Sequence, residues 1–261
     1  MDNSSRFSIF EAVKNAYIFV GREWLYLLKA GLLPMGAQIV TGVFIQFQRP
    51  DASLVESYLW GLPAAALLGW FIFLETRLLL LGERLERLPK DSAALADRRH
   101  AMKLSVLTAL LFNMGAAGAI TLWLAVEEAA QSSANGFLNA VGLLIIGGII
   151  WGVRFGIIPT LAAVHYPIRP VLRRTAGLLF SLRLIGMGLL GTFPVIFISR
   201  FFVGSMLPDA ADLTAKLTDT QQLSITFISA PLSLMCAALL GASAAYALKQ
   251  ILGSSRNGVT I

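Results

Sequence analysis

Six long apolar stretches, separated by short polar connections, constrain this chain more than any other feature of its sequence. They run from Trp24 to Phe47, Tyr58 to Leu81, Met102 to Val126, Phe137 to Val164, Leu182 to Met206 and Leu223 to Leu252. Each is long enough for the ~20 residues that an α-helix needs to cross the hydrocarbon core. Because lipid offers no partner for a free backbone amide or carbonyl, an apolar span must satisfy its own hydrogen bonds, and a helix does so. The expected fold is therefore all-α: a polytopic bundle of six transmembrane helices. Only 14% of the 261 residues are charged and the mean hydropathy is +0.72, against about a quarter charged in soluble domains. The connections are too short for a soluble domain of ~50 residues, so 1–261 is expected to form a single integral membrane domain.

The basic residues set an orientation. Arg6, Lys14, Arg22 and Lys29 precede or open the first span; Arg84, Arg87, Lys90, Arg98, Arg99 and Lys103 follow the second; Arg169, Arg173, Arg174 and Arg183 follow the fourth; Lys249 and Arg256 close the chain. All of these fall on one side. The other side has Arg49, Arg200 and Lys216, with acidic residues such as Asp51, Glu56, Glu127, Glu128 and Asp209. The positive-inside rule then puts both termini in the cytoplasm. The net charge of +6 has the same origin, so its expected partners are anionic headgroups on the cytoplasmic side rather than nucleic acid. No basic nucleic-acid-binding motif is present.

Residues 1–22 lack the apolar core and small-residue cleavage site of a signal peptide. Phe7, Phe10, Val13, Ala16, Tyr17 and Val20 instead recur at helical spacing, with Lys14 and Arg22 on other faces, which predicts an interfacial helix over 5–22. A second amphipathic segment is expected over 167–181, where Ile168, Val171, Leu172, Thr175, Leu178 and Leu179 share a face and Arg169, Arg173 and Arg174 point elsewhere. The competing reading makes both segments polar extensions of the adjoining spans. Setting Pro34 against Pro194 also aligns Ala16 with Ala176 and Gly31 with Gly191, the pattern of a parallel repeat or of shared composition.

Charges inside apolar spans are the first place to look for function, because an unpaired charge in lipid costs several kcal/mol. Glu75 and Arg77 lie in FLETRLLLLGER, and Arg154 lies in IIWGVRFGIIP. Glu75 and Arg154 fall equally far along two spans of the same direction, which predicts an intramembrane ion pair, with Arg77 reaching towards the headgroups. The alternative is that the two side chains snorkel separately. Gly148, Gly152 and Gly156 form one stripe in the fourth span, and Ala237, Gly241 and Ala245 another in the sixth. Small residues at this spacing predict close helix packing and make these two spans candidates to cross. Gln38, Asn113, Thr226, Ser229 and Ser233 either line a wet cavity or hydrogen-bond across helices. Pro63, Pro159, Pro194 and Pro231 are expected to kink or end their helices.

The catalytic inventory is nearly empty. Cys236 is alone, and His100 and His165 have no Cys or carboxylate at metal-ligand spacing. Neither a phosphate-binding glycine loop nor a GxSxG elbow occurs. The expectation is a protein with no metal, no cofactor and no enzymatic activity.

FSIFEAVKNAYIFVGREWLYLLKAGLLP and VRFGIIPTLAAVHYPIRPVLRRTAGLLFSLRLIGMGLL resemble segments of a broad group of bacterial six-helix inner-membrane proteins. That group includes the membrane domain attached to some glycerophosphoryl diester phosphodiesterases and related stand-alone proteins of unknown role. The shared pattern is an amphipathic entry into a span, then an intramembrane Arg followed by a Pro and a basic re-entry segment, here Arg154, Pro159 and Arg169 to Arg174. The resemblance implies a bacterial inner membrane and the six-helix fold. No phosphodiesterase domain is present, so no metal-dependent chemistry follows. Two functions remain open: a non-catalytic protein that organises lipid or serves a larger complex or a homo-oligomer, and a small-solute transporter or channel built around Glu75 and Arg154.

Overall fold

In a computed structural model, residues 7–49, 53–85, 91–133, 136–206 and 218–254 are described; Arg6, Arg87, Lys90, Lys216 and Arg256 lie outside them. The described residues form nine α-helices and no strand: α1 Ile9–Arg22, α2 Trp24–Gln48, α3 Leu54–Leu81, α4 Ser92–Ser133, α5 Gly136–Gly152, α6 Ile158–Ala163, α7 Ile168–Arg174, α8 Leu178–Met206 and α9 Asp219–Ser254, with a 3-10 segment Val153–Ile157 between α5 and α6. Six spans are long and apolar enough to cross a bilayer. The protein is a multi-pass, all-α integral membrane protein. Leu32, Leu33, Val40, Leu143, Leu144, Phe193, Phe197 and Phe201 face outward, a surface suited to acyl chains and not to water.

The caps explain where helices start and stop. The Ser53 hydroxyl accepts from the Glu56 amide and the Glu56 carboxylate accepts from the Ser53 amide, a capping box opening α3; Gly82, at φ 69°, ends it in the left-handed conformation that glycine adopts without strain. Pro34, Pro63, Pro194 and Pro231 all lie inside continuous helices. Only the fourth span is interrupted. There the expected continuous helix over 137–164 gives way to the 3-10 turn of Val153–Ile157, followed by Pro159 in the first turn of α6. Pro159 has no amide to donate, and 3-10 bonding tightens the turn just before it. Side-chain hydroxyls brace both flanks, Ser181 donating to the Trp151 carbonyl and Ser105 to that of Pro159.

α9 is the centre of the bundle, packed against α1, α2, α3 and α8. Ala238, Ala242, Ser243, Ala245 and Ala247 are buried there; their small side chains let four helices approach one axis. Phe71, Phe73, Leu74 and Leu78 of α3 join Leu27, Ala30 and Leu234 in one core cluster, while Ile157, Leu161, Phe180, Leu184, Leu248 and Ile251 form another. α5 is peripheral, with α4 and α8 beside it.

One amphipathic expectation, that over 167–181, needs correction. α1 is a separate helix within the range expected for the first amphipathic segment, and its apolar face is packed on the bundle: Phe7, Ala12, Val13 and Ala16 are buried, the Ser8 amide donates to Gln250 Oε1 at 2.7 Å, and the Tyr17 hydroxyl donates to the Gly191 carbonyl at 2.7 Å. Its apolar face packs onto α8 and α9, leaving Phe10 and Ile18 outward. The segment expected over 167–181 is helical as α7 only to Arg174; Leu178 and Leu179 already belong to α8. Thr175 ends α7 by turning its hydroxyl back onto the Val171 carbonyl at 2.8 Å. Each half of the supposed repeat has an amphipathic helix before a proline-containing span, but α1 has 14 residues and α7 has 7.

Candidate functional site

The expected Glu75–Arg154 ion pair does not form. Glu75 is fully buried, and neither carboxylate oxygen has a hydrogen-bond partner among the described residues. Its Oε2 lies against Gly241, in the volume that a side chain at 241 would fill. Arg154 is also buried, but its guanidinium stacks on the Trp151 ring at 3.6 Å and meets the Phe155 ring at 4.9 Å, with Nε unpartnered. Equal depth brings two side chains face to face only where the helix between is unbroken, and here it is not. The 3-10 turn changes the rotation per residue from ~100° to ~120°, so depth alone did not settle which face Arg154 presents.

Arg77 does not reach free headgroups. Its Nε and Nη2 donate to Glu83 at 2.7 Å each and its Nη1 to the Ala163 carbonyl at 2.8 Å, so it joins the end of α3 to the end of α6. The bidentate hydrogen bonds from Arg77 hold the Glu83 carboxyl below the usual carboxylate range, despite partial burial. Arg98 is buried 3.8 Å from the same carboxylate. Nearby, Arg84 pairs with Glu23 at 2.8 Å and lies over the Tyr26 ring, tying the loop after α3 to the start of α2.

The two small-residue stripes behave differently. Gly241 packs against Glu75 and Ile72 of α3, and Ala237 and Ala245 are buried, so the α9 stripe is a packing surface. A Cβ at Gly156 would lie 3.2 Å from the Phe112 ring, but one at Gly148 or Gly152 would meet nothing within 4 Å. The expected close contact at those two glycines is absent among the described residues; they floor an open groove of about 610 Å³ between α4 and the broken span. Its other lining side chains include Leu111, Phe112, Leu122, Ile145 and Ile149. Thr108 is there too, its hydroxyl turned onto the Leu104 and Ser105 carbonyls of its own helix.

Phe112 and Val153 also border a second, inner cavity of about 370 Å³ between α3, α4, α6, α8 and α9. Its polar lining includes Asn113 and Thr160, and Gly241 forms part of its wall. Asn113 Nδ2 donates to the Ala109 carbonyl, Thr226 to Gln222 and Ser229 to Thr226, all within their own helices rather than across the bundle.

One cluster was not legible in the sequence. His165 Nδ1 lies 3.0 Å from an Asp97 carboxylate oxygen, and the His100 ring stacks on it at 5.6 Å. His165 has φ 53° because it ends α6: the Tyr166 amide donates to Leu161 O and the His165 amide to Ala162 O. A glycine there would have signalled the turn. Among the described residues, no group of three or more His, Cys, Asp or Glu side chains is arranged to hold a metal ion. Lys14, Arg22, Arg169 and Arg173 are exposed, as headgroup contacts require; the Arg174 side chain lies outside the described residues. Compared with family models, with curated proteins and with solved structures, the chain finds no match.

Proposed function

We propose that this chain is a non-catalytic protein of a bacterial inner membrane that holds and organises membrane lipid, with both termini in the cytoplasm. The observation that carries this reading is the groove between α4 and α5. Its size, about 610 Å³, lies within the ~300–1,000 Å³ of ordinary ligand sites. The lining is almost wholly apolar, its one hydroxyl is spent on its own helix, and the groove lies between the third and fourth apolar spans, so a lipid tail is the occupant its chemistry fits. Exposed Lys14, Arg22, Arg169 and Arg173 supply the complementary charge for anionic headgroups. The resemblance to six-helix inner-membrane proteins supports the same class. A transporter built on a joined Glu75–Arg154 site is less well supported, since those side chains have separate surroundings.

A Cβ at Gly148 or Gly152 would meet nothing within 4 Å, so Gly148→Leu with Gly152→Leu places side chains in the groove without forcing its floor apart. The double variant should fold normally and lose, by at least tenfold, a phospholipid that the parent retains in native mass spectrometry after gentle release from its membrane. Equal lipid retention in both proteins overturns the reading. If a second copy or another protein is lost instead, the accessory-subunit reading replaces it. The orientation is tested in a Cys236→Ala background. Gln48→Cys should react with an impermeant maleimide in intact cells, and Arg173→Cys only after permeabilisation; the reverse pattern inverts the topology.

A further inference from the structure

Glu75 is the most costly side chain in this bundle for which the lipid reading gives no role. A carboxylate taken out of water without a donor is tolerated where a ligand, water or proton compensates it, and such residues in spans mark binding sites by default. Both Glu75 oxygens lack a partner among the described residues. Oε2 occupies the side-chain space of residue 241, and Gly241 is itself part of the wall of the 370 Å³ inner cavity. Glu75 does not itself line the cavity; its carboxylate lies against Gly241 and beside Ile72, both of which do.

The rest of the wall decides what kind of cation fits. Ile72, Leu240 and Phe112 line the space, with Asn113 and Thr160 as polar groups. A hard metal cation demands about six or more oxygen ligands, which this wall does not supply. An organic ammonium asks for less: one carboxylate for its charge, apolar contacts for its carbon substituents, and an aromatic face such as Phe112 for a cation–π contact. We propose that Glu75 and the inner cavity form a binding site for a small amphipathic organic ammonium ion, with Glu75 as its counter-charge. This site is separate from the lipid groove, from which Phe112 and Val153 divide it, so either reading can fail without the other.

The test uses the full chain in lipid nanodiscs with benzyltrimethylammonium as probe and benzyl alcohol as its uncharged comparator. Calorimetric titration should give saturable binding of the ammonium, weakened at least tenfold in Glu75→Gln, while benzyl alcohol distinguishes the two proteins less than twofold. Equal ammonium binding by the parent and Glu75→Gln, or none by either, overturns the proposal. If the glutamine variant fails to fold, labelling of the parent with dicyclohexylcarbodiimide, located by peptide mass spectrometry, takes its place. The probe should slow modification of Glu75 at least tenfold; unchanged labelling overturns the proposal.

Discussion

Arg77→Met is expected to lower the stability of the fold by about 2–4 kcal/mol, one of the two largest effects of a single substitution that this structure implies. Breaking a buried ion pair from one side typically costs ~3–5 kcal/mol, because the other partner keeps its desolvation cost. Here the Glu83 side chain retains 29% exposure, which softens the loss. The Ala163 carbonyl also loses its donor from Arg77, at the point where α6 meets α3. Methionine fills much of the same volume, so the change reports the interactions rather than a cavity. Thermal unfolding in nanodiscs measures it, and a loss under ~0.5 kcal/mol, as for an ordinary surface pair, sinks the argument. A pH signature accompanies it. Glu83 has a lowered folded pKa, so its stabilising contribution is complete above the ordinary carboxylate value of 4.5 and is lost as pH falls through the depressed folded value. The variant, without Arg77, should lose most of that acid-side slope.

Glu75→Met should move stability the other way, raising it by about 1–3 kcal/mol, since a buried polar group without a partner costs about that much and methionine fills the same space with soft apolar contacts. Gly241→Ala should lower it by less than the ~1–3 kcal/mol of an overpacked core, because the added methyl meets Oε2, the far end of a flexible side chain that can move aside. Combining Gly241→Ala with Glu75→Ala removes that contact, so the two effects should be non-additive. Additive penalties would mean that Glu75 does not occupy the space beside Gly241. A Glu75 variant that gains stability and loses ammonium binding is the trade expected of a site whose strain serves its ligand.

Much of the bundle was legible in the chain because lipid makes backbone satisfaction a local matter. The first span, expected over 24–47, is α2 Trp24–Gln48, and the sixth, expected over 223–252, lies inside α9 Asp219–Ser254. The third, expected over 102–126, lies inside a helix of 42 residues, Ser92–Ser133. At ~1.5 Å per residue it is about twice as long as the hydrocarbon core is thick. Hydropathy marks where a helix enters lipid and says nothing of where it ends in water. The break at Val153–Ile157 was signalled only by Pro159 and the glycines around Arg154, while Pro34, Pro63, Pro194 and Pro231 sit in unbroken helices.

The candidate site divides along the same line. Glu75, Arg77 and Arg154 were legible as costly residues, since the price of a charge in lipid depends on depth, and depth is read by counting along a helix. Which partner each finds depends on rotation about the axis and on neighbours far away in sequence, and there the pairing argument failed. Glu75 met Gly241, Arg77 met Glu83 and Ala163, and Arg154 met the rings beside it in its own chain. The class, the number of spans and the residues that strain them follow from the sequence alone, because each is a property of one helix against a uniform apolar solvent. The open groove at Gly148 and Gly152, the inner cavity and the solitary carboxylate were decided by tertiary structure, because a space exists only where several helices fail to fill it, and no single helix encodes that.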